Sequence, residues 1–429
     1  MRMLRIAGGR VIDPANERDG FGDVWISDGV FVAAPTAESS PDDVEVIDAA
    51  GLVVAPGLID MHVHFREPGQ AHKETIASGS RAAAAGGITS VVCMPNTTPV
   101  ADNAGTITLI REMAQAAASV NVFTTGAITK GIAGEELAPY GSMIAAGIVA
   151  ITDDGHCVQN HEVMRRALEY ARMFDLPVLD HCQDYSLVGN GVMHEGEWSL
   201  RLGLQGWPRV GEEVMVARNV LLSELCDSPI HCQHISSGGS VRLLRDAKAR
   251  GVKVSGEVCP HHIALTDRCL QGFDSNYKMN PPLRTERDID ALLEGLADGT
   301  LDVLCSDHAP HAFYEKEVEL DQAPFGITGL ETAFALCCDI LLHKRNVINL
   351  PRLIGLFTAN PARLLSLDRG TLSVGAAADV TLINPELEWT FDKEKSRSLS
   401  RNTPLHGVQL KGRAITTIVG GKTVWTLED

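Results

Sequence analysis

The sequence predicts an α/β fold: a (β/α)8 TIM-like barrel with a small β-sandwich domain assembled from both chain ends. Three observations predict it. Eight apolar, β-branched runs recur through the middle of the chain, each followed by a helical pattern. Both ends carry shorter strand-like runs broken by Gly, Asp and Pro. Nearly every unusual polar cluster falls at the C-terminal end of one of the eight runs, which in a barrel is the catalytic face.

At the start of the chain, "MLRIAGGRVID", "DVWISDGVFVAA" and "VEVIDAAGLVVAPG" read as strands. "GTLSVGAAADVTLINP", "WTFD" and "GVQLKGRAITTIVGGKTVWTL" near the end have the same texture. Neither end is long enough to close a core alone. Together they make one small sandwich, the chain leaving it for the central domain and returning. The expected division is 1–55 and 369–429 for the sandwich and 56–368 for the barrel. The eight barrel strands begin at Gly57, Gly87, Val120, Gly147, Leu176, Pro229, Val252 and Leu301. Helical patterns between them include "ETIASGSRAAAAGG", "TITLIREMAQAAAS", "HEVMRRALEYARMF", "SVRLLRDAKARG" and "ERDIDALLEGLADG", and "GLETAFALCCDILLHK" follows the eighth. A doubly wound open sheet is the alternative, but eight uninterrupted units favour closure.

The 429 residues suit one barrel with a small appended domain. A net charge of −18 argues against nucleic acid or an anionic membrane as the main partner. Ten scattered cysteines form no C-x-x-C pair, which speaks for buried reduced thiols in a cytoplasmic protein and against thiolate zinc sites. The first residues hold no long apolar stretch of the signal-peptide kind. No window approaches the roughly 20 apolar residues that span a bilayer.

The first barrel strand ends in "DMHVHFREPG". His62 and His64 are two apart, so on a strand they face one side, a strong arrangement for metal ligands. Other strand mouths supply His181, His234, Asp307 and the pair Asp153 and Asp154. Each alone reads as a satisfied core or rim residue; convergence on one pocket changes that. Imidazole with carboxylate suits Zn²⁺ and accepts Mn²⁺, Co²⁺ or Fe²⁺. Four histidines and two carboxylates are enough for two metals sharing a hydroxide, with the pKa of bound water lowered to about 7.

These residues resemble the amidohydrolase superfamily. "GLIDMHVHFREPG" is similar to the first-strand motif of the branch holding dihydroorotase, allantoinase and dihydropyrimidinase. "MPNTTPVAD", "ITDDG", "CPHH", "MNPPLR", "SDHAPH", "PFGITGLET", "TANPARLL" and "GAAADVTL" follow in family order, so the resemblance covers essentially the whole chain. Within the branch the chain resembles the bacterial type I dihydroorotases. The resemblance implies reversible cyclisation of N-carbamoyl-L-aspartate to L-dihydroorotate in de novo pyrimidine biosynthesis, with two Zn²⁺ per subunit. It implies that His62, His64 and Asp307 hold the more buried metal and that His181 and His234 hold the second. Many relatives bridge the two metals with a carboxylated lysine, whereas the type I pattern uses an aspartate. Asp154 is the choice here and Asp153 the alternative.

Asp307 is further implied to take a proton from the bridging hydroxide and pass it to the leaving nitrogen. Arg66 is expected to hold the ring carboxylate bidentately, joined by His64, Asn96 and His311. Asn280 and the backbone of Phe325 and Gly326 are expected to read the ring amide. A rim ion pair of Arg66 with Glu67, and turn chemistry at Asn96 and Asn280, are the plain alternatives. The polar segment between His311 and Phe325 is either a lid or a solvated loop. His261 and His262 read as structural, and His156 lies close enough to compete for a metal. The alternatives to dihydroorotase are an allantoinase or hydantoinase, and a non-catalytic partner of aspartate transcarbamoylase. A homo-oligomer is expected, and association with the transcarbamoylase is compatible with an active enzyme.

Overall fold

The computed structural model describes residues 3–35 and 44–428. Its centre is an eight-stranded parallel sheet: Leu58–Val63, Ile88–Cys93, Asn121–Gly126, Ala150–Ile151, Val178–Asp180, Ile230–Cys232, Val254–Val258 and Val303–Leu304. The strands are hydrogen-bonded in sequence order. A parallel bridge from Val63 to His308 closes the first strand against the chain leaving the eighth, where His64 N–H donates to His308 O at 2.9 Å. All six residues of each of the first two strands are buried. That explains their continuous apolar runs: a parallel sheet is covered on both faces. The sheet is thus the closed barrel that the eight units predict.

The chain ends form a second eight-stranded sheet, ordered Lys422–Thr426, Gln409–Val419, Val380–Thr390, Val53–Pro56, Met3–Asp13, Arg18–Ser27 and Val30–Val32, with Val44–Asp48 also paired to Met3–Asp13. Val380 lies opposite Pro56 and Ile383 opposite Val53, so the two ends are joined by one ladder. Ile6, Val11, Ile26, Phe31, Val54, Leu382 and Ile418 bury their side chains in a core of their own. Gly57 N–H donates to Asp379 O at 2.8 Å, and Thr381 Oγ1 donates to Gly87 O at 2.6 Å. These bonds seat the sheet against the first two barrel strands.

Two barrel helices escape the sequence pattern, Tyr140–Ala146 and Val210–Cys226. The second buries Glu212, Arg218 and Asn219 along with its apolar residues, which blurs the amphipathic period. The helix expected after the eighth strand is split. Ala333–Cys337 is α-helical, and Cys338–Lys344 widens to π geometry, where His343 Nε2 donates to Pro385 O of the end sheet at 2.8 Å. Among the described residues no helix is long and apolar enough to cross a membrane.

Arg218 shows how a polar contact holds the scaffold under the site. Its Nη2 donates to Asp180 Oδ2 at 2.6 Å, and Asn219 Nδ2 reaches the same oxygen at 2.7 Å. Asp180 and Arg218 are both buried, one residue before His181. Arg218→Met is expected to cost about 3–5 kcal/mol, because it strands a buried carboxylate. Chemical denaturation measures this; a loss under about 1 kcal/mol would show that the pair does not hold the strand.

Candidate active site

The C-terminal ends of five barrel strands bring together His62, His64, Asp154, His181, His234 and Asp307, all buried. Asp154 sits at the centre. Its carboxylate oxygens lie 3.4 Å from His62 Nε2, 3.3 Å from His64 Nε2, 3.2 Å from His181 Nδ1 and 3.5 Å from His234 Nε2. Asp307 Oδ1 is 3.5 Å from His62 Nε2 and 3.2 Å from His64 Nε2. Asp153 turns away: it accepts from Thr129 N at 3.0 Å and from Thr129 Oγ1 at 2.5 Å. Burial pushes its pKa up to about 6, against those hydrogen bonds. Of the two candidates for the bridge, only Asp154 faces the histidines.

The outer contacts decide which ring nitrogens face inward. His62 Nδ1 is 2.6 Å from Glu257 Oε1, His64 Nδ1 is 3.0 Å from Asn96 Oδ1, and His181 Nε2 is 2.8 Å from Gln183 Oε1. Each acceptor takes the ring N–H, so in the neutral rings Nε2 of His62 and His64 and Nδ1 of His181 carry lone pairs. Those lone pairs point at carboxylate oxygens and at one another. His62 Nε2 is buried without a hydrogen-bond partner, and His181 Nδ1 lies 2.7 Å from His234 Nε2. Converging acceptors call for a cation, and rings tied from behind by carboxylate or amide are the usual support of metal-bound histidine. His62, His64 and Asp307 place donor atoms within 4.8 Å of one another, and so do His62, Asp154 and His234. The residues therefore fit divalent metal.

Charge follows the same geometry. Burial alone would push Asp307 up, but His62 and His64 hold its pKa down to about 2. Against burial, His62 and hydrogen bonds from His181 and His234 hold Asp154 well below the usual carboxylate range. Burial disfavours charge on His62, yet Asp154, Asp307 and Glu257 raise its pKa well above the usual value. The pocket is thus a concentrated negative site, and a cation bound there would displace the second proton that its carboxylates favour on His62.

The expected substrate residues ring this cluster. Arg66 donates from Nε to Pro310 O at 3.2 Å, and no carboxylate lies within ion-pair distance of its guanidinium among the described residues. Burial lowers its pKa to about 10, and Asp307 and Asp154 act against that. The Glu67 pairing is absent, since Glu67 instead accepts from Ile76 N at 2.7 Å. Asn280 Nδ2 donates to Gln183 Oε1 at 3.1 Å, while its Oδ1 is buried and unpartnered, an acceptor without a donor. His311 is kept neutral: burial and then Arg66 push its pKa down to about 2. Its Nε2–H donates to Phe325 O at 2.8 Å. Gly326 N–H is spent on Lys278 O at 3.0 Å. Phe325 N–H has no partner among the described residues.

Sequence reasoning missed Glu257, Gln183 and Gln233. Glu257 is fully buried and also accepts from His231 Nε2 at 3.1 Å and His234 N at 3.2 Å. Its signal was an acid inside the apolar run of the seventh strand. Gln183 ties His181 to Asn280; nothing in its spacing marks that. His156 is exposed and lies 3.1 Å from Tyr185 Oη. His261 and His262 are buried beside Cys259, with His262 Nε2 donating to Pro281 O at 2.9 Å.

A family model described as "Dihydro-orotase-like" matches residues 51–240. The dihydroorotase of Geobacter metallireducens is 50% identical over 422 residues, covering 98% of this chain and 99% of its own. That of Syntrophotalea carbinolica is 51% identical over 429 residues and the full length of both chains. Among solved structures, the L-hydantoinase (dihydropyrimidinase) from Arthrobacter aurescens is similar with a TM-score of 0.89 at 22% identity, covering 100% of this chain and 98% of that one. The dihydropyrimidinase from Brevibacillus agri NCHU1002 gives 0.85 at 23% identity, covering 98% and 94%. At that identity the structural likeness shows the fold, whereas half identity over the full length shows more: this chain belongs to the dihydroorotase family.

Proposed function

We propose that this chain interconverts N-carbamoyl-L-aspartate and L-dihydroorotate by reversible opening of a cyclic amide. One observation carries the choice of substrate: the guanidinium of Arg66, free of any carboxylate partner among the described residues, stands beside the histidine–carboxylate cluster. Dihydroorotate has a ring carboxylate to fill that vacancy, while a hydantoin or allantoin ring has none. A neutral ring would leave a half-buried cation without a partner, at a cost that rises with its burial.

The residues would divide the work as follows. His62, His64 and Asp307 would hold one divalent ion and His181 and His234 the other, with Asp154 between them. Zinc is the reading favoured by imidazole and carboxylate donors. When bound, the pair supplies Lewis-acid polarisation of the ring carbonyl and an acidified water. Asp307, ionised and facing the cluster, would accept the proton of the attacking water and deliver it to the ring nitrogen as the amide C–N bond breaks. Arg66, with Asn96 and His311 near it, would fix the carboxylate. Asn280 Oδ1, lacking a donor, would accept a ring N–H, and Phe325 N–H would donate to a ring carbonyl.

The test is one set of rate measurements on dihydroorotate, allantoin and hydantoin, before and after chelation. Dihydroorotate should turn over far faster than either neutral ring. The chelated protein should lose at least about 10²-fold in rate, and zinc should restore it as about two equivalents bind. Turnover of hydantoin over dihydroorotate would replace this reading with the hydantoinase one. Full activity in metal-free protein would overturn the metal assignment.

Three further expectations belong to the same reading. The domain limits 1–55, 56–368 and 369–429 are supported by the ladder of Val53–Pro56 with Val380–Thr390 and the start of the barrel at Leu58. Ten unpaired cysteines support a reducing, cytoplasmic location. Val210, Val214, Leu221 and Leu225, exposed along one side of a helix, support a homo-oligomer or docking to aspartate transcarbamoylase. Light scattering of the protein alone and mixed with that enzyme measures both.

A further inference from the structure

Lys316 ends the short helix Phe313–Lys316 within the polar segment after His311. Its side chain is nevertheless buried. Nζ donates to Pro324 O at 2.9 Å, to Gly326 O at 3.1 Å and to Lys278 O at 3.4 Å. No carboxylate lies within ion-pair distance among the described residues, so an ammonium with three donors meets three carbonyls and no counter-ion. Ser275 Oγ donates to Lys316 O and anchors the lysine's own backbone. A second ammonium, Lys278 Nζ, donates to Leu320 O at 2.7 Å and Asp321 O at 3.1 Å, and lies 4.7 Å from the Phe325 ring centre. Gly326 has little room to shift: its φ is 141°, and a Cβ there would sit 2.6 Å from Ala309 O.

The three carbonyls are not arbitrary. Pro324 and Gly326 flank Phe325, and Lys278 lies two residues before Asn280. We propose that Lys316 is a positioning residue for the substrate ring: its ammonium clamps these carbonyls and so sets the spacing between Asn280 and the Phe325–Gly326 backbone. This rests on the dihydroorotase reading, in which Asn280 accepts a ring N–H and Phe325 N–H donates to a ring carbonyl. A compact point charge with three rotatable donors suits three converging carbonyls, whereas the planar fork of arginine does not. The polar segment after His311 is therefore braced from within.

The test compares wild type with K316M at about pH 6, where the amine keeps its proton. Burial and then Lys278 push the Lys316 pKa down to about 7 while Asp274 opposes them, and neutral His311 is its other titratable neighbour. K316M should raise KM for dihydroorotate about 10- to 100-fold and leave kcat within about threefold. Amide hydrogen exchange over residues 324–328 should speed up at least about 10-fold, with the barrel strands unchanged. If K316M does not fold, K316R serves: its larger head should displace Pro324 and Gly326 and raise KM about three- to tenfold. Wild-type KM in either folded variant, or unchanged exchange at 324–328, would overturn the proposal. Should wild type itself fail to turn over dihydroorotate, the functional reading falls, and the exchange measurement still decides the clamp.

Discussion

Asp307→Asn is expected to lower kcat about 10²–10⁴-fold in both ring opening and ring closure, with KM for dihydroorotate little changed. The reason is positional. Asp307 is buried, and its Oδ1 lies within 3.5 Å of both His62 and His64 at the mouth of the eighth strand. An amide of the same shape keeps a donor oxygen but cannot take a proton, so the step that moves a proton from water to ring nitrogen loses its carrier. Both directions share one transition state, so they should fall together. Metal content measured on the same sample separates the two roles assigned to this carboxylate. A rate loss that merely tracks lost metal would make Asp307 a ligand and nothing more.

Arg66→Met is expected to lower kcat/KM for dihydroorotate about 10²–10³-fold, corresponding to about 3–4 kcal/mol for a lost charge-assisted pair of hydrogen bonds. Methionine keeps much of the stem and removes the guanidinium. A ring lacking the carboxylate should be affected under about threefold, because it never used that cation. The selectivity ratio is therefore the informative measurement. Equal losses on charged and neutral rings would mean that Arg66 shapes the pocket through its bond to Pro310 O and does not hold a carboxylate.

Much of this was legible in the chain alone, for a definite reason. The barrel strands are buried on both faces, so their apolar runs stand out without any partner, as in "GITSVVCMPN" and "LDVLCSDHAPH". Polar residues at the ends of such runs are conspicuous because burial inside them is costly. His62, His64, His181, His234 and Asp307 were visible as candidates on that ground. Val210–Cys226 was not legible as a barrel helix, because its inward face carries Glu212, Arg218 and Asn219, whose partners lie elsewhere in the chain.

By itself, then, the sequence determined the alternation of strands and helices, the pairing of the two ends into one domain, and which mouths carry imidazole and carboxylate. All of these follow from local periodicity and from the price of burying polar groups. Only the tertiary structure decided that Asp154 and not Asp153 faces the histidines. It alone showed that Glu257, Asn96 and Gln183 choose the inward nitrogens, and that Lys316 ties Pro324 and Gly326 to Lys278, two residues before Asn280. Several of those choices depend on contacts between residues far apart in the chain, such as His62 with Glu257 and His64 with Asn96, and in all of them side-chain direction is set by packing and not by spacing along the chain.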